Sequence, residues 1–479
     1  MRRLLAAVTA AGAMAVPGAA QAFSPNDPFV PRQWYVTEDR AFDAFSYLPL
    51  LPAVRVAVID SGIDRSHPEL LKKVVAARSF VGGSPNDIEG HGTFVAGEIA
   101  ATVDNGRGIA GLAPSARLIV AKVVPDEGAV SPSTEAHAIR WAVKQGAKVI
   151  NVSLGGLRDP TDPSHSGYSW VEQRAIDFAT AHGALVVAAV GNGDGAPAKP
   201  WRHASYPAAL PHVLGVGSYG RAGNVPAFSN RDDVYVDLAS PGEDIFSLLP
   251  LGVTGKNPDC VEQGYSSCGP KEYRRAAGTS FSAPQAAAAA ATLFSLRPGL
   301  KPDQVSTLLE RSASDATPAT GCDACSVGRD SLTGFGELDV AAAIRALRLG
   351  PVPAGDRFEP NDDIGFVSAP VSAKQFRLRA TIDFWDDPND VYRVRLKRGH
   401  WISALVRSSG GLDVSLVLWK PAAHSLSTVH DSQRARRSVH PPGTPERLRY
   451  RARKTGWYFL QVKLARPGSG AYRLRILHS

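Results

Sequence analysis

Three residues far apart in this sequence have the types that, brought together, let a serine hydroxyl attack a carbonyl: Asp60, His91 and Ser280. A serine hydroxyl is a weak nucleophile at neutral pH. An adjacent imidazole can take its proton, and a buried carboxylate can fix the imidazole tautomer and steady the imidazolium. Each of the three sits in a glycine-flanked segment. Val56-Ala57-Val58-Ile59-Asp60-Ser61-Gly62 ends an apolar run with a carboxylate, and His91-Gly92-Thr93 opens a helical stretch with an imidazole. Gly278-Thr279-Ser280-Phe281-Ser282-Ala283-Pro284 opens another with a hydroxyl. A serine at a helix N-terminus also gains backbone N–H groups for a developing oxyanion. Singly these are ordinary turn and cap residues. Their joint occurrence, in the order Asp, His, Ser, points to acyl transfer.

The elements that must position them alternate in type. Arg55–Ile59, Leu118–Val123, Val149–Val152 and Leu185–Val190 read as buried strands of a parallel sheet. Gly92–Thr102, Ser133–Lys144, Trp170–Ala181, Ser282–Ser295 and Pro302–Arg311 read as the helices between or beside them. That alternation predicts an α/β domain with helices on both faces of the sheet. Sites in such folds form beyond the carboxyl ends of the strands, where Asp60 and Asn192 fall.

Past Arg348 the pattern changes. Gly350-Pro351-Val352-Pro353-Ala354-Gly355 is linker chemistry. Beyond it the period is two: in Tyr392-Arg393-Val394-Arg395-Leu396 and Tyr472-Arg473-Leu474-Arg475-Ile476, apolar residues point one way and arginines the other. Such strands with Gly and Pro between them predict an antiparallel β-sandwich. Charge divides along the same line. From Pro351 onward there are 22 Lys and Arg against 11 Asp and Glu, whereas the rest of the chain carries a net charge of −3. The basic strands could hold an acidic polymer or cell envelope, or present a solvated arginine face. Aromatic residues are not interleaved in the way nucleic-acid binding requires.

The first residues read as an address. Arg2 and Arg3 precede an apolar, Ala-rich run from Leu4 to Val16, and Ala20-Gln21-Ala22 is a small-x-small cleavage site. The run is too short for a permanent anchor, and no later stretch is long and apolar enough for a membrane helix. The expectation is an exported protein released without a membrane anchor. Its predicted parts are a leader at 1–22, an α/β domain at 23–349, a linker at 350–357 and a sandwich at 358–479. Four cysteines suit that compartment: Cys260 with Cys268 and Cys322 with Cys325 make two local disulfides the simple pairing, with four zinc-binding thiolates as the rival.

The three glycine-flanked segments, in their order and α/β frame, resemble the subtilisin-like serine protease family, over Asn26 to about Leu349. The resemblance implies a three-layer α/β fold and a secreted endopeptidase acting on peptides or proteins, with Asp60, His91 and Ser280 as catalytic triad. It implies that Asn192, in Val190-Gly191-Asn192, donates its side-chain amide to the oxyanion. Ser153-Leu154-Gly155-Gly156 resembles the substrate-pairing edge strand, with Gly128-Ala129-Val130 as the opposite edge. An extended substrate would add between them through its backbone. Thr102-Val103-Asp104-Asn105-Gly106-Arg107-Gly108-Ile109 resembles the family's calcium loop, and Asn26-Asp27-Pro28 the start of thermitase-like members. The implied ligands of a structural Ca2+ are Asp27, Glu69, Thr102, Asn105, Arg107 and Ile109, a hard-oxygen set in which Glu69 stands where Asp is usual.

Departures accompany the match. Phe94 replaces a second histidine usual in the family, and Phe281 a methionine common after the nucleophile. The stretch from Phe23 to Asp60 is too short for the family's long inhibitory pro-domain. Glu359-Pro360-Asn361-Asp362 and Asp387-Pro388-Asn389-Asp390 resemble pre-peptidase C-terminal domains of secreted bacterial proteases. Two rival functions stay open: a narrow processing protease restricted by loops at Pro160–Trp170 and Pro250–Tyr273, and a surface-binding protein whose protease fold is silent.

Overall fold

The structure is a computed structural model that describes residues 22–127, 129–162, 167–254, 270–365, 367–385 and 387–479. The leader motifs at Arg2, Arg3 and residues 4–16, Gly128, and the Cys260–Cys268 pair lie outside the described residues.

A short helix α1 (Trp34–Glu38) precedes the first strand, β1 (Val54–Asp60). The sheet continues with β2 (Val74–Ser79), β3 (Ala116–Lys122), β4 (Val149–Val152), β5 (Leu185–Ala189), β6 (Val213–Tyr219) and β7 (Leu238–Pro241). These seven strands lie parallel in the order β2-β3-β1-β4-β5-β6-β7. Alternate residues of β1 serve two cores. Val56 and Val58 face a cluster that includes Phe94 and Phe294, while Ala57 and Ile59 face one that includes Ile139 and Ile176. A strand with no polar face must be covered on both sides, and helices supply the cover.

On one side lie α2 (His91–Ala100) and α5 (Ala283–Leu296); on the other, α3 (Pro132–Lys144) and α4 (Trp170–Ala181). In α5, Ala286–Ala291 are all buried, so small side chains let this helix approach the sheet closely. Two more helices, α6 (Pro302–Ser312) and α7 (Val340–Leu349), extend the first layer. A hairpin of β8 (Ile245–Leu248) and β9 (Tyr273–Ala276) flanks α2. The predicted α/β layering is borne out. Strands β2, β6 and β7 and helix α7 were not anticipated. Cys322 and Cys325 lie at disulfide-bonding distance, with Cα atoms 5.3 Å apart.

The C-terminal part is the predicted sandwich. Its strands are β10 (Ala369–Pro370), β11 (Gln375–Asp383), β12 (Asn389–Leu396), β13 (Trp401–Ser408) and β14 (Val414–Trp419). They continue with β15 (Arg434–Ser438), β16 (Glu446–Arg451), β17 (Gly456–Leu464) and β18 (Ser469–His478). One sheet runs β10-β12-β17-β14-β15 and the other β11-β18-β13-β16. Tyr392, Val394, Leu396, Leu474 and Ile476 meet in the core between them.

The sandwich docks against the ends of β5 and β6 where those strands begin. A cavity of about 230 Å3 between the domains is lined by Leu185 and Val213, the first residues of β5 and β6, and by Thr381, Ile382 and Ser469 of the sandwich. His212, held at φ 63 just before β6, places Nε2 2.8 Å from Asp362 Oδ2 and 3.4 Å from Glu359 Oε2. Asp356 N–H donates to Asp303 of α6 at 3.1 Å, and the Arg329 guanidinium lies 4.7 Å from the Trp385 ring centroid. Burial, then the charges of neighbouring carboxylates, pushes Glu359, Asp387 and Asp390 well above the ordinary carboxylate range. His212 is the basic partner this acidic seam meets from the α/β domain. Removing one partner of a buried pair costs about 3 kcal/mol or more. His212→Asn, which tolerates the positive φ but is too short to reach, is expected to loosen the docking; faster trypsin cleavage at exposed Arg357, between α7 and the sandwich, checks this.

Candidate active site

The site is assembled where strands end. Asp60, the last residue of β1, is buried, and its Oδ1 accepts the Ser61 N–H at 2.7 Å and lies 2.8 Å from His91 Nδ1. With Nδ1–H directed at a carboxylate, Nε2 is left as the proton acceptor. His91 opens α2, and its side chain is 28% exposed against 1% for Asp60. Such proximity demands glycine at position 92: an added Cβ would sit 2.1 Å from Gly62 O and 3.1 Å from Asp60 Oδ1.

Asp87, four residues before His91, fixes this corner. Its Oδ1 accepts from Ser61 Oγ, Glu89 N and Gly90 N, and its Oδ2 from Thr93 N and Thr93 Oγ1, all within 3.0 Å. Ser61 Oγ in turn accepts the Gly92 N–H at 2.9 Å. One buried carboxylate thus ties the turn after β1 to the first turn of α2. Sequence reasoning missed it; the available signal was an Asp shortly before a helix start, where its oxygens cap free N–H groups. Burial pulls the His91 imidazolium down, but Asp60, by charge and hydrogen bond, and the Asp87 and Glu89 carboxylates outweigh it, so the pKa is raised above 6.5.

Ser280 lies in the turn Thr279–Phe281 that leads into α5, after Gly278 at φ 146. Its Oγ donates to Ser153 O at 3.1 Å, and Ser153 Oγ donates to Ser280 O at 2.7 Å. The hydroxyl is therefore turned to the segment after β4 and is not hydrogen-bonded to His91 in this structure. Rotation about χ1 is the adjustment that would redirect it, and apo sites commonly need such tightening. The aromatic departures pack here: Phe281 lies 5.4 Å from the His91 ring and 4.4 Å from Phe94, whose side chain is buried. They form an apolar floor beneath the imidazole.

Asn192 follows β5. Its Oδ1 accepts both Thr279 N and Thr279 Oγ1 at 2.9 Å, which leaves Nδ2 as a free donor beside Gly278, whose added Cβ would lie 3.3 Å from it. A donor aimed at a developing oxyanion is worth about 3–4 kcal/mol. Ser153, Leu154 and Gly155 extend β4 beyond the sheet, and Gly156 pairs with Tyr206 through two backbone hydrogen bonds of 2.8 and 2.9 Å. Ala129 and Val130 form the coil before α3; Val130 and Leu154 pack on the same apolar cluster.

A second cluster joins the N-terminal segment to the loop after α2. Asp27 accepts Asp104 N at 2.8 Å and Asn105 N at 3.0 Å. Asn105 Nδ2 donates to Glu69 Oε2 at 3.3 Å, and Asn105 Oδ1 accepts Arg107 N at 2.8 Å. Glu69 O accepts from both Thr102 N and Thr102 Oγ1 at 3.0 Å, and Ile109 is fully buried beside them. Burial is the main cause that raises Asp27 and pushes Glu69 up to about 7.

Comparisons with known proteins give the family of the α/β part. The subtilase family profile matches residues 52–336, which stop short of the sandwich. Thermitase of Thermoactinomyces vulgaris is 33% identical over 303 residues, covering 62% of this chain and 94% of that protein. Fervidolysin of Fervidobacterium pennivorans is 34% identical over 318 residues, and this chain spans 41% of its length. Among solved structures, a protease of Pseudoalteromonas arctica PAMC 21717 is 26% identical at a TM-score of 0.54, covering 67% of this chain and 99% of that one. The crystal structure of fervidolysin, described as a keratinolytic enzyme, is 26% identical at a TM-score of 0.51, covering 84% of this chain and 51% of that one. The chain belongs to the subtilase family and is a subtilisin-like serine endopeptidase.

Proposed function

We propose that this chain hydrolyses peptide bonds in protein substrates through Asp60, His91 and Ser280, by way of an acyl-enzyme. The 2.8 Å contact between His91 Nδ1 and Asp60 Oδ1, with Ser280 in the turn that leads into α5, carries the reading. Ser280 Oγ attacks the scissile carbonyl carbon as His91 Nε2 takes its proton. Asp60 holds the imidazole tautomer and steadies the imidazolium. Negative charge on the former carbonyl oxygen is met by Asn192 Nδ2 and the Ser280 N–H. His91 then returns the proton to the leaving amine, the C–N bond breaks, and an ester remains on Ser280. Water enters on the same side, loses a proton to His91 and attacks the ester carbon; the C–O bond to Ser280 breaks, His91 returns the proton to Ser280 Oγ, and the acid is released. Substrate lies extended along Ser153-Leu154-Gly155, with Gly128-Ala129-Val130 opposite, held through its backbone.

The leader pattern supports export. No helix among the described residues is long and apolar enough to cross a membrane. The cluster at Asp27 and Glu69 fits a calcium ion: two buried carboxylates, close enough that Asp27 raises Glu69 by its charge, lie with the Asn105 side chain. Gly108 leaves the space this needs, since a Cβ there would lie 2.4 Å from Glu69 Oε1. Asp27, Glu69, Asn105 and the carbonyls of Thr102, Arg107 and Ile109 would hold it. When bound, the ion supplies charge neutralisation and clamps the N-terminal segment to the loop after α2.

Purified chain from Phe23 is expected to hydrolyse denatured casein, and Ser280→Ala to abolish this while keeping the fold; hydrolysis retained by that variant would refute the nucleophile. Because His91 acts in its neutral form and its pKa is raised, kcat/KM should rise with pH through a midpoint above 6.5. Glu89→Gln removes one of the charges that raise it, so the midpoint should fall by a few tenths of a pH unit. Chelation with EGTA should lower the Tm by about 5 °C, and Glu69→Gln should remove that calcium dependence. An unchanged Tm would refute the calcium assignment.

A further inference from the structure

The open face of the β11-β18-β13-β16 sheet carries arginines in ranks. Register places Arg379 opposite Arg473, and Arg473 opposite Arg407 on the next strand. One step along, Arg377 faces Arg475, Arg475 faces Leu405, and Leu405 faces Arg447. Arg449 and Arg451 continue along β16 opposite Ser403 and Trp401. All eight of these arginines are exposed. Strands spaced about 4.8 Å apart, with same-face residues about 6.8 Å apart, set the guanidinium groups on a flat lattice.

Like charges directly opposite on neighbouring strands destabilise a sheet. This face relieves none of that repulsion from within. Among the described residues none of the eight forms an ion pair, while the domain's carboxylates are engaged elsewhere. Asp356, Glu359, Asp362, Asp387 and Asp390 gather at the interdomain seam. Asp413 pairs with Arg466 at 3.1 Å, Asp431 with Arg434 at 2.7 Å, and buried Glu446 meets His440 at 2.8 Å. Asp383 shares the face's parity, but it sits at the end of β11 beside the α/β domain, and its Oδ1 accepts the Trp385 N–H at 3.0 Å. Apart from Asp383 at its edge, the described part of this face thus carries basic groups and no acidic ones.

We propose that this face is a docking surface for a linear acidic polysaccharide. Guanidinium groups bind carboxylate, sulfate or phosphate in bidentate fashion, and a flat lattice suits a chain with charges at short, regular intervals. Trp401, half-buried with the Arg449 guanidinium 5.6 Å from its ring centroid, offers one flat apolar contact for a sugar ring. A single aromatic does not make the row of stacking platforms that single-stranded nucleic acid needs. None of the large apolar side chains exposed among the described residues lies on these four strands, so nothing here would insert into a lipid surface.

The test is titration of the full chain with heparin, with neutral dextran as control, at sodium chloride from 0.05 to 0.5 M. Binding should be absent with dextran and should weaken steeply with salt. Combined Arg377→Gln, Arg379→Gln, Arg473→Gln and Arg475→Gln should weaken heparin binding at least tenfold. Because the substitutions relieve like-charge pairs, the Tm should stay the same or rise, which separates lost binding from lost folding. Absence of heparin binding by the unaltered chain, equal binding by the fourfold variant, or tighter binding to duplex DNA or to vesicles of anionic phospholipid would overturn the proposal.

Discussion

Everything at the site depends on how closely the start of α2 approaches the end of β1. Asp60 reaches His91 only because position 92 has no side chain to strike Gly62 and Asp60 itself. That approach brings a buried strand end against a helix N-terminus, two places where backbone groups lack partners. Asp87 and Ser61 supply those partners, so the polar cost of the approach is met by the groups that also orient the imidazole. The same logic sets Ser280. Alanines let α5 sit deep against the sheet, and Gly278 and Thr279 let its first turn touch both Asn192 and Ser153.

The electrostatics of the site favour a poised base. His91 is surrounded by carboxylates at graded distance and exposure: Asp60 in contact, Asp87 buried beneath the turn and Glu89 exposed at the rim. Burial alone would keep the ring neutral. The carboxylates restore its affinity for a proton, which the proposed role of His91, a base that must give the proton back, requires. Phe281 and Phe94 close the apolar side of the ring, so the balance rests on few polar neighbours.

Much of this was legible from residue types. β4 and α4 begin and end where periodicity placed them, because apolar runs bounded by turn residues admit few alternatives. The short strands β2 and β7 escaped notice because β2 is only half-buried and β7 ends in Ser240-Pro241, so neither has a strong apolar run. Asp87 was missed for a different reason: its partners are backbone N–H groups, which leave no mark in a sequence. The arginine alternation of the sandwich was visible at once, but the cross-strand pairing that turns it into ranks of like charge depends on register, which the side-chain pattern of one strand does not specify. The acidic seam lay in plain view as two Asn-Asp motifs, while its partner His212 gave no signal until the turn before β6 was in place.

The two ends of the parallel sheet have been given separate duties. Asp60 and Asn192 stand at the carboxyl ends of β1 and β5, while the sandwich is seated where β5 and β6 start. The strands between are four to seven residues long, so about 20 Å of packed sheet stands between the two poles. A body held by its sandwich is therefore held at the pole opposite Asp60 and Asn192. A polypeptide that reaches Asp60 and Asn192 at one pole need not displace the sandwich seated at the other.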